Sequence, residues 1–308
     1  MNTPRLTLPT FDRRTALMGG AALLLAGCLS RARTILPSAT SIGQLRALEQ
    51  NANGRLGAYV VDIERGTAFG WRENERFTHA SSFKMSLAAM LLAKADAGKI
   101  DLRETLHWTK EDMLSVSPVT TANLGKGLSV RDLARATLVT SDNTAANVLM
   151  RRFGGPSELT AFWRSIGDKS SRLDRYEPEL NVTPPGTDLD TTTPAAMAAT
   201  TAAFVHGTIL TADSRAVLRA WMAEVKTGQD RIRSGFPTNW ISGDKTGTGI
   251  GKTKHIYVDL AFGGPGGRSP LIVTAYFEPS RLAEPMDRDA VAVLAAVGRI
   301  AAASLSEA

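Results

Sequence analysis

Cysteine occurs once in the 308 residues, at Cys28, so no intramolecular disulfide can form and stability must rest on packing. Histidine occurs only four times, and these residues with the lone cysteine offer no metal-ligand spacing. Aromatic residues make up 6% of the chain and Lys and Arg are spread along it, so the net charge of +6 describes a solvated surface, not a nucleic-acid-binding stripe. The apolar run from Ala16 to Gly27 falls short of the ~20 residues that span a bilayer. There is no internal repeat and no low-complexity segment. What remains, 43% hydrophobic and 21% charged residues, is the composition of an ordinary globular protein with enough chain to bury a sizeable core.

The N-terminus reads as an export signal, because Asp12-Arg13-Arg14-Thr15-Ala16-Leu17-Met18 sets paired arginines before the apolar run. The run ends in Leu25-Ala26-Gly27-Cys28, which resembles a bacterial lipobox. Cys28 would then be lipidated and become the new N-terminus, giving an exported, periplasmic, membrane-anchored lipoprotein. The alternative is a signal peptide that contains a cysteine and is cleaved further on. Residues 1–28 are read as the signal and residues 29–40, polar and with a proline, as a tether.

From Ser41 to Asn53 the spacing of Ile42, Leu45 and Leu48 predicts an amphipathic helix. Residues 55–63 and 68–71 predict a hairpin turning at Glu64-Arg65-Gly66. Helical patterns follow over residues 85–97, 130–152, 194–206 and 212–226. Strands return over 240–246, 255–262 and 270–277, with a last helix from Pro285 to about Ser304. The sheet is therefore discontinuous in sequence. A sheet lobe (41–72 and 224–308) would be interrupted by an all-helical lobe (73–223), and such a boundary favours a cleft.

Several residues carry chemistry in this frame. Serine needs a base within hydrogen-bond reach, and Lys84, three residues after Ser81, shares a helix face with it. At the first turn of that helix the Ser81 N–H would be free to face an anion. Ser141-Asp142-Asn143 separates an apolar run from the next helix and, taken by itself, is a helix cap. Lys245-Thr246-Gly247-Thr248 falls on an expected edge strand, where a lysine also discourages aggregation. Glu177 and Asn181 stand four apart, so one helical turn would aim a carboxylate and an amide at the same water. Pro178 permits a cis bond after Glu177. His79 lies two residues from Ser81, a spacing that points it elsewhere.

Taken in order, Ser81-Ser82-Phe83-Lys84, Ser141-Asp142-Asn143 and Lys245-Thr246-Gly247-Thr248, with the stretch from Arg172 to Asn181, resemble the class A serine β-lactamases. The resemblance implies an α/β (α+β) fold of the β-lactamase/transpeptidase type. A five-stranded antiparallel sheet is flanked by helices, an all-helical lobe is inserted, and the active site lies between them. It implies a hydrolase that opens the lactam amide of penicillins and cephalosporins through an acyl-enzyme on Ser81, conferring antibiotic resistance.

In that reading Lys84, or Glu177 through water, accepts the Ser81 proton, and which of the two does so stays open. Ser141 passes a proton to the lactam nitrogen, Asn143 holds the substrate's side-chain amide, and Glu177 with Asn181 prepares the hydrolytic water. The N–H groups of Ser81 and Thr248 form the oxyanion hole, while Lys245, Thr246 and Arg231 attend the substrate carboxylate and Arg233 is structural. Arg175 and Asp190 tie the ends of the Glu177 loop. The resemblance implies no metal or organic cofactor and a monomer whose partner is a small β-lactam. A D-alanyl-D-alanine peptidase or penicillin-binding protein shares three of the motifs, and a penicillin sensor would stay acylated; Glu177 and Asn181 disfavour both. Two departures bear on substrate range: Val116 stands where many class A enzymes carry an aromatic, and the usual Asn-Asp pair is missing after Thr248.

Overall fold

The computed structural model describes residues 39–283 and 286–306, so the export signal, Cys28 and most of the tether lie outside the described residues. Helix α1 (Ala39–Ala52) begins two residues ahead of the expected Ser41, which makes the last two tether positions helical. Five strands, β1 (Gly54–Asp62), β2 (Thr67–Trp71), β3 (Ile241–Ile250), β4 (His255–Gly264) and β5 (Leu271–Pro279), form one antiparallel sheet in the order β2-β1-β5-β4-β3. The N- and C-terminal segments thus meet in the sheet, β1 pairing with β5 from Gly54↔Pro279 to Asp62↔Leu271. β3 is an edge strand and runs four residues past Thr246, the end expected from the sequence.

Helices cover both faces of this sheet. Alternation along β4 and β5 sends Val258, Leu260, Ile272 and Tyr276 to one side and Tyr257, Ala261, Val273 and Ala275 to the other. The second set packs against α1 and α8 (Arg288–Ser306). The first joins a larger core with α2 (Phe83–Asp96), α3 (Val130–Val139), α4 (Asn143–Arg152), α5 (Gly155–Ser165), α6 (Pro194–Val205) and α7 (Ala212–Ala223). α2 is buried on every side from Phe83 to Leu92, a stretch that is apolar except for Lys84 and Ser86. The run 130–152 is two helices because Ser141 adopts φ +59° and Asp142 caps α4, its carboxylate accepting the Ala145 N–H at 2.8 Å. α5, whose cap Gly154 and first residue Gly155 both have positive φ, was not expected from the sequence.

His79 shows how tightly the segment before Ser81 is seated. Its ring is fully buried, stacks on Trp163 at 4.9 Å, and neither ring nitrogen has a hydrogen-bond partner. Burial, reinforced by Arg76 and opposed by Asp168 and Asp174, lowers its pKa from 6.5 to about 3. The folded protein therefore binds fewer protons here than the unfolded chain between those values. This contribution to stability is complete above about pH 6.5 and is lost as pH falls toward 3. Between pH 7 and 4.5 wild type should lose roughly 2–3 kcal/mol more than His79→Phe, read from urea midpoints. Equal losses in both proteins would show that His79 does not couple folding to acid.

Candidate active site

Ser81 lies in a short 3-10 turn (Ala80–Ser82) that runs into α2, one turn earlier than the first turn of the α-helix expected for it. The turn is held by the Ser82 N–H and hydroxyl, which both donate to the His79 carbonyl, and by the His79 N–H donating to Asp190 O at 2.9 Å. β3 approaches it closely. A Cβ on Gly247 would lie 2.7 Å from His79 O, and one on Gly249 would lie 2.1 Å from Asn181 O, so glycine is required at both positions.

The sequence-predicted residues converge on this point. Lys84 Nζ donates to Ser81 Oγ at 2.9 Å and to Ser141 O at 2.9 Å, bonds Asn143 Oδ1, and pairs with Glu177 Oε1 at 2.8 Å. Ser81 Oγ in turn donates to Glu177 Oε1 at 3.2 Å, so the nucleophile touches both candidate bases. Lys245 Nζ donates to Ser141 Oγ at 3.1 Å and to Thr246 O at 2.6 Å, leaving the Ser141 hydroxyl between two lysines. The hydroxyls of Thr246 and Thr227 are hydrogen-bonded to each other at 2.6 Å.

The loop that carries Glu177 is closed at its base by Asp190. Its carboxylate accepts the N–H groups of Asp174 and Arg175 and pairs with Arg175 Nε at 2.6 Å. The Glu177–Pro178 bond is cis. Asn181, in the turn Glu179–Asn181, donates its amide to Glu177 Oε2. One contributor was missed in the sequence. Asn147, 2% exposed on α4, clamps the Glu177 backbone, donating Nδ2 to Glu177 O at 2.8 Å and accepting the Glu177 N–H at 3.0 Å. Its signal was available, since Asn147 lies one helical turn after Asn143 on the same face.

Arg231 is almost wholly buried. It donates Nη1 to the carbonyls of Gly247 (2.8 Å) and Val258 (2.7 Å) and Nη2 to Thr248 Oγ1 at 2.7 Å, so its charge reaches the cleft beside Thr248. Arg233 instead pairs with buried Asp244 at 3.1 Å. Burial pushes Asp244 up to about 6 against the pull of Arg233, Lys245 and Arg231. Asp259, on β4 opposite Thr246, accepts the Ile232 N–H at 3.0 Å. Burial lowers the pKa of Lys84, opposed by Glu177, and that of Lys245 further, where Lys84 adds repulsion. Two lysines whose protons are this loosely held suit proton transfer.

Ala80 (φ +43°), Val116 (φ +57°) and Ser141 (φ +59°) all hold left-handed backbone beside Ser81, a concentration of strain typical of working sites. Ser81, Ser141, Asn143, Asn181, Arg231 and Thr248 face a cavity of about 640 Å³. Among the described residues no group of His, Cys, Asp and Glu could hold a metal ion.

A serine open to a cleft and backed by a buried lysine and glutamate, between a sheet edge and a helical core, is the arrangement of a serine acyl-transfer protein. Residues 42–305 match the β-lactamase enzyme family, and the chain belongs to it. It is 42% identical to β-lactamase L2 of Stenotrophomonas maltophilia over 85% of each chain. It is 41% identical to β-lactamase FAR-1 of Nocardia farcinica over 77% of this chain and 80% of that one. Among solved structures, an ancestral class A β-lactamase of Gram-negative bacteria superposes with a TM-score of 0.81 at 45% identity, covering 86% of this chain and 99% of that one. A β-lactamase from Xanthomonas campestris pv. campestris gives 0.81 at 40% identity, covering 86% and 97%.

Proposed function

We infer that the protein hydrolyses penicillins and cephalosporins in two half-reactions on Ser81. The observation that carries this is the contact of one hydroxyl with both Lys84 and Glu177. Ser81 Oγ attacks the lactam carbonyl as its proton passes to Lys84, or to Glu177 through water. The C–N bond breaks, and Ser141 delivers a proton to the departing nitrogen, resupplied from Lys84 or Lys245. Glu177, with Asn181 beside it, then takes a proton from water, which attacks the ester and frees Ser81. The N–H groups of Ser81 and Thr248 receive the oxyanion, and Asn143 takes the substrate's amide. Repeated turnover of nitrocefin by the purified protein tests this. A single stoichiometric burst without turnover would instead support a penicillin-binding protein.

Arg231, with Lys245, Thr246 and Thr248, supplies the carboxylate end of the site. A charged hydrogen bond of this kind is worth roughly 1.5–3 kcal/mol, so Arg231→Ala should lower kcat/KM by about 10- to 100-fold. An unchanged value for several penicillins would remove Arg231 from substrate binding.

We further propose that the activity lies in the periplasm, with the mature chain a lipid-anchored monomer, a reading supported by the twin arginines and the Leu25-Ala26-Gly27-Cys28 sequence. Fractionation of cells expressing wild type and Cys28→Ser should move the protein from the membrane to the soluble periplasmic fraction in the variant only. Equal solubility of the two would refute the anchor.

A further inference from the structure

Arg231 enters the cleft from a segment that carries no chemistry of its own, the short 3-10 turn Ile232–Gly235 that follows it. Its guanidinium is aimed by the carbonyls of Gly247 and Val258 and the hydroxyl of Thr248, while its buried Nε has no hydrogen-bond partner among the described residues. Where the charge arrives therefore depends on where the backbone is held. The Ser234 N–H (3.0 Å) and hydroxyl (2.7 Å) both donate to the Arg231 carbonyl, and the Arg231 N–H donates to Gly228 O at 3.2 Å. From the sheet side, Asp259 accepts the Ile232 N–H.

On the remaining side the turn meets α8, and backbone touches backbone. A Cβ on Gly298 of α8 would lie 2.1 Å from Ile232 O, and one on Gly235 of the turn would lie 2.2 Å from Ala295 O, so each element needs glycine where it meets the other. α8 is the stiffer partner, with Val291, Leu294, Val297 and Ala301 buried in the core beneath the sheet. The turn is four residues long, and its Ser234 is exposed. Ordinary contact begins at 3.4 Å, so a side chain at residue 298 would push the turn away by roughly 1 Å. A misplacement of about that size, even far from the chemistry, can cost ~100-fold in rate. We propose that α8 positions Arg231 for the substrate carboxylate, Gly298 and Gly235 letting the turn sit directly on the helix. Neither glycine touches substrate, and both act through the arginine. This rests on the hydrolase reading above and on the place of Arg231 in it.

The test is a double-mutant cycle on kcat/KM for benzylpenicillin, with wild type, Gly298→Ala, Arg231→Ala and the variant carrying both. Gly298→Ala should lower kcat/KM about tenfold, mostly through KM, because Ser81, Lys84 and Glu177 are untouched. In the Arg231→Ala background the same substitution should change kcat/KM by less than about twofold, since no guanidinium is left to misplace. A glycine needed for packing alone would lower the urea midpoint in both backgrounds and leave kcat/KM as it was. Should Gly298→Ala not fold, Ser234→Ala takes its place in the cycle. It removes one of two hydrogen bonds on the Arg231 carbonyl at an exposed position, and should lower kcat/KM about threefold with Arg231 present and not without it. An unchanged kcat/KM in the folded variant, or an equal fall with and without Arg231, overturns the positioning role and leaves the hydrolase reading intact. If Arg231→Ala alone changes nothing, the arginine's place at the carboxylate fails and the positioning role with it. Failure of wild type to turn over benzylpenicillin overturns the hydrolase reading itself.

Discussion

Lys84→Ala is expected to slow acylation of Ser81 by about 1,000- to 10,000-fold, the range typical of losing a positioned general base or its equivalent. The effect is large because Lys84 does more than touch the nucleophile. It also bonds the carbonyl of Ser141 and the side chain of Asn143, and pairs with Glu177 where both side chains are fully buried. Removing the cation leaves Glu177 dehydrated without a counter-charge, a situation that costs about 3–5 kcal/mol in comparable buried pairs. Single-turnover mixing with excess enzyme, followed by mass, reads the acylation rate directly. A rate within tenfold of wild type would assign the first proton transfer to Glu177 and its water alone.

The second large effect is expected at Glu177, and it differs in kind. With Glu177→Ala, Ser81 and Lys84 remain, and so do the N–H groups that receive the oxyanion, so the ester can still form. What is lost is the carboxylate that activates water, and general-base catalysis of this sort is worth ~100- to 10,000-fold. Release should therefore slow at least a hundredfold while acylation falls less, and the acyl-enzyme should become the resting state. The loop should stay in place without the carboxylate, because Asn147 grips the residue 177 backbone and Asp190 closes the loop at Arg175.

Much of this site was legible because its chemistry is local in sequence. Ser81 and Lys84 are one turn apart, Glu177 and Asn181 are four apart, and a serine, aspartate and asparagine in succession mark the start of α4. That the early hairpin and the late strands share one sheet was also legible, although their order in it was not. What escaped depends on contacts between distant segments. Nothing local marks Gly247 and Gly249 as the places where β3 presses on the Ser81 turn and on Asn181. Thr227 meets Thr246 only because the segment after α7 folds beside β3. Helix α5, not expected from the sequence, follows Gly154 and begins at Gly155, both of which take up the positive φ that glycine permits.

If the hydrolase reading holds, one serine is acylated and one glutamate frees it. Mass spectrometry of Glu177→Ala after mixing with benzylpenicillin, set beside wild type and Ser81→Ala, tests it most directly. A persistent adduct of one drug mass is expected on the peptide containing Ser81 in Glu177→Ala, with no lasting adduct in wild type and none in Ser81→Ala. Turnover of Glu177→Ala at the wild-type rate, or an adduct that survives in Ser81→Ala, would contradict it.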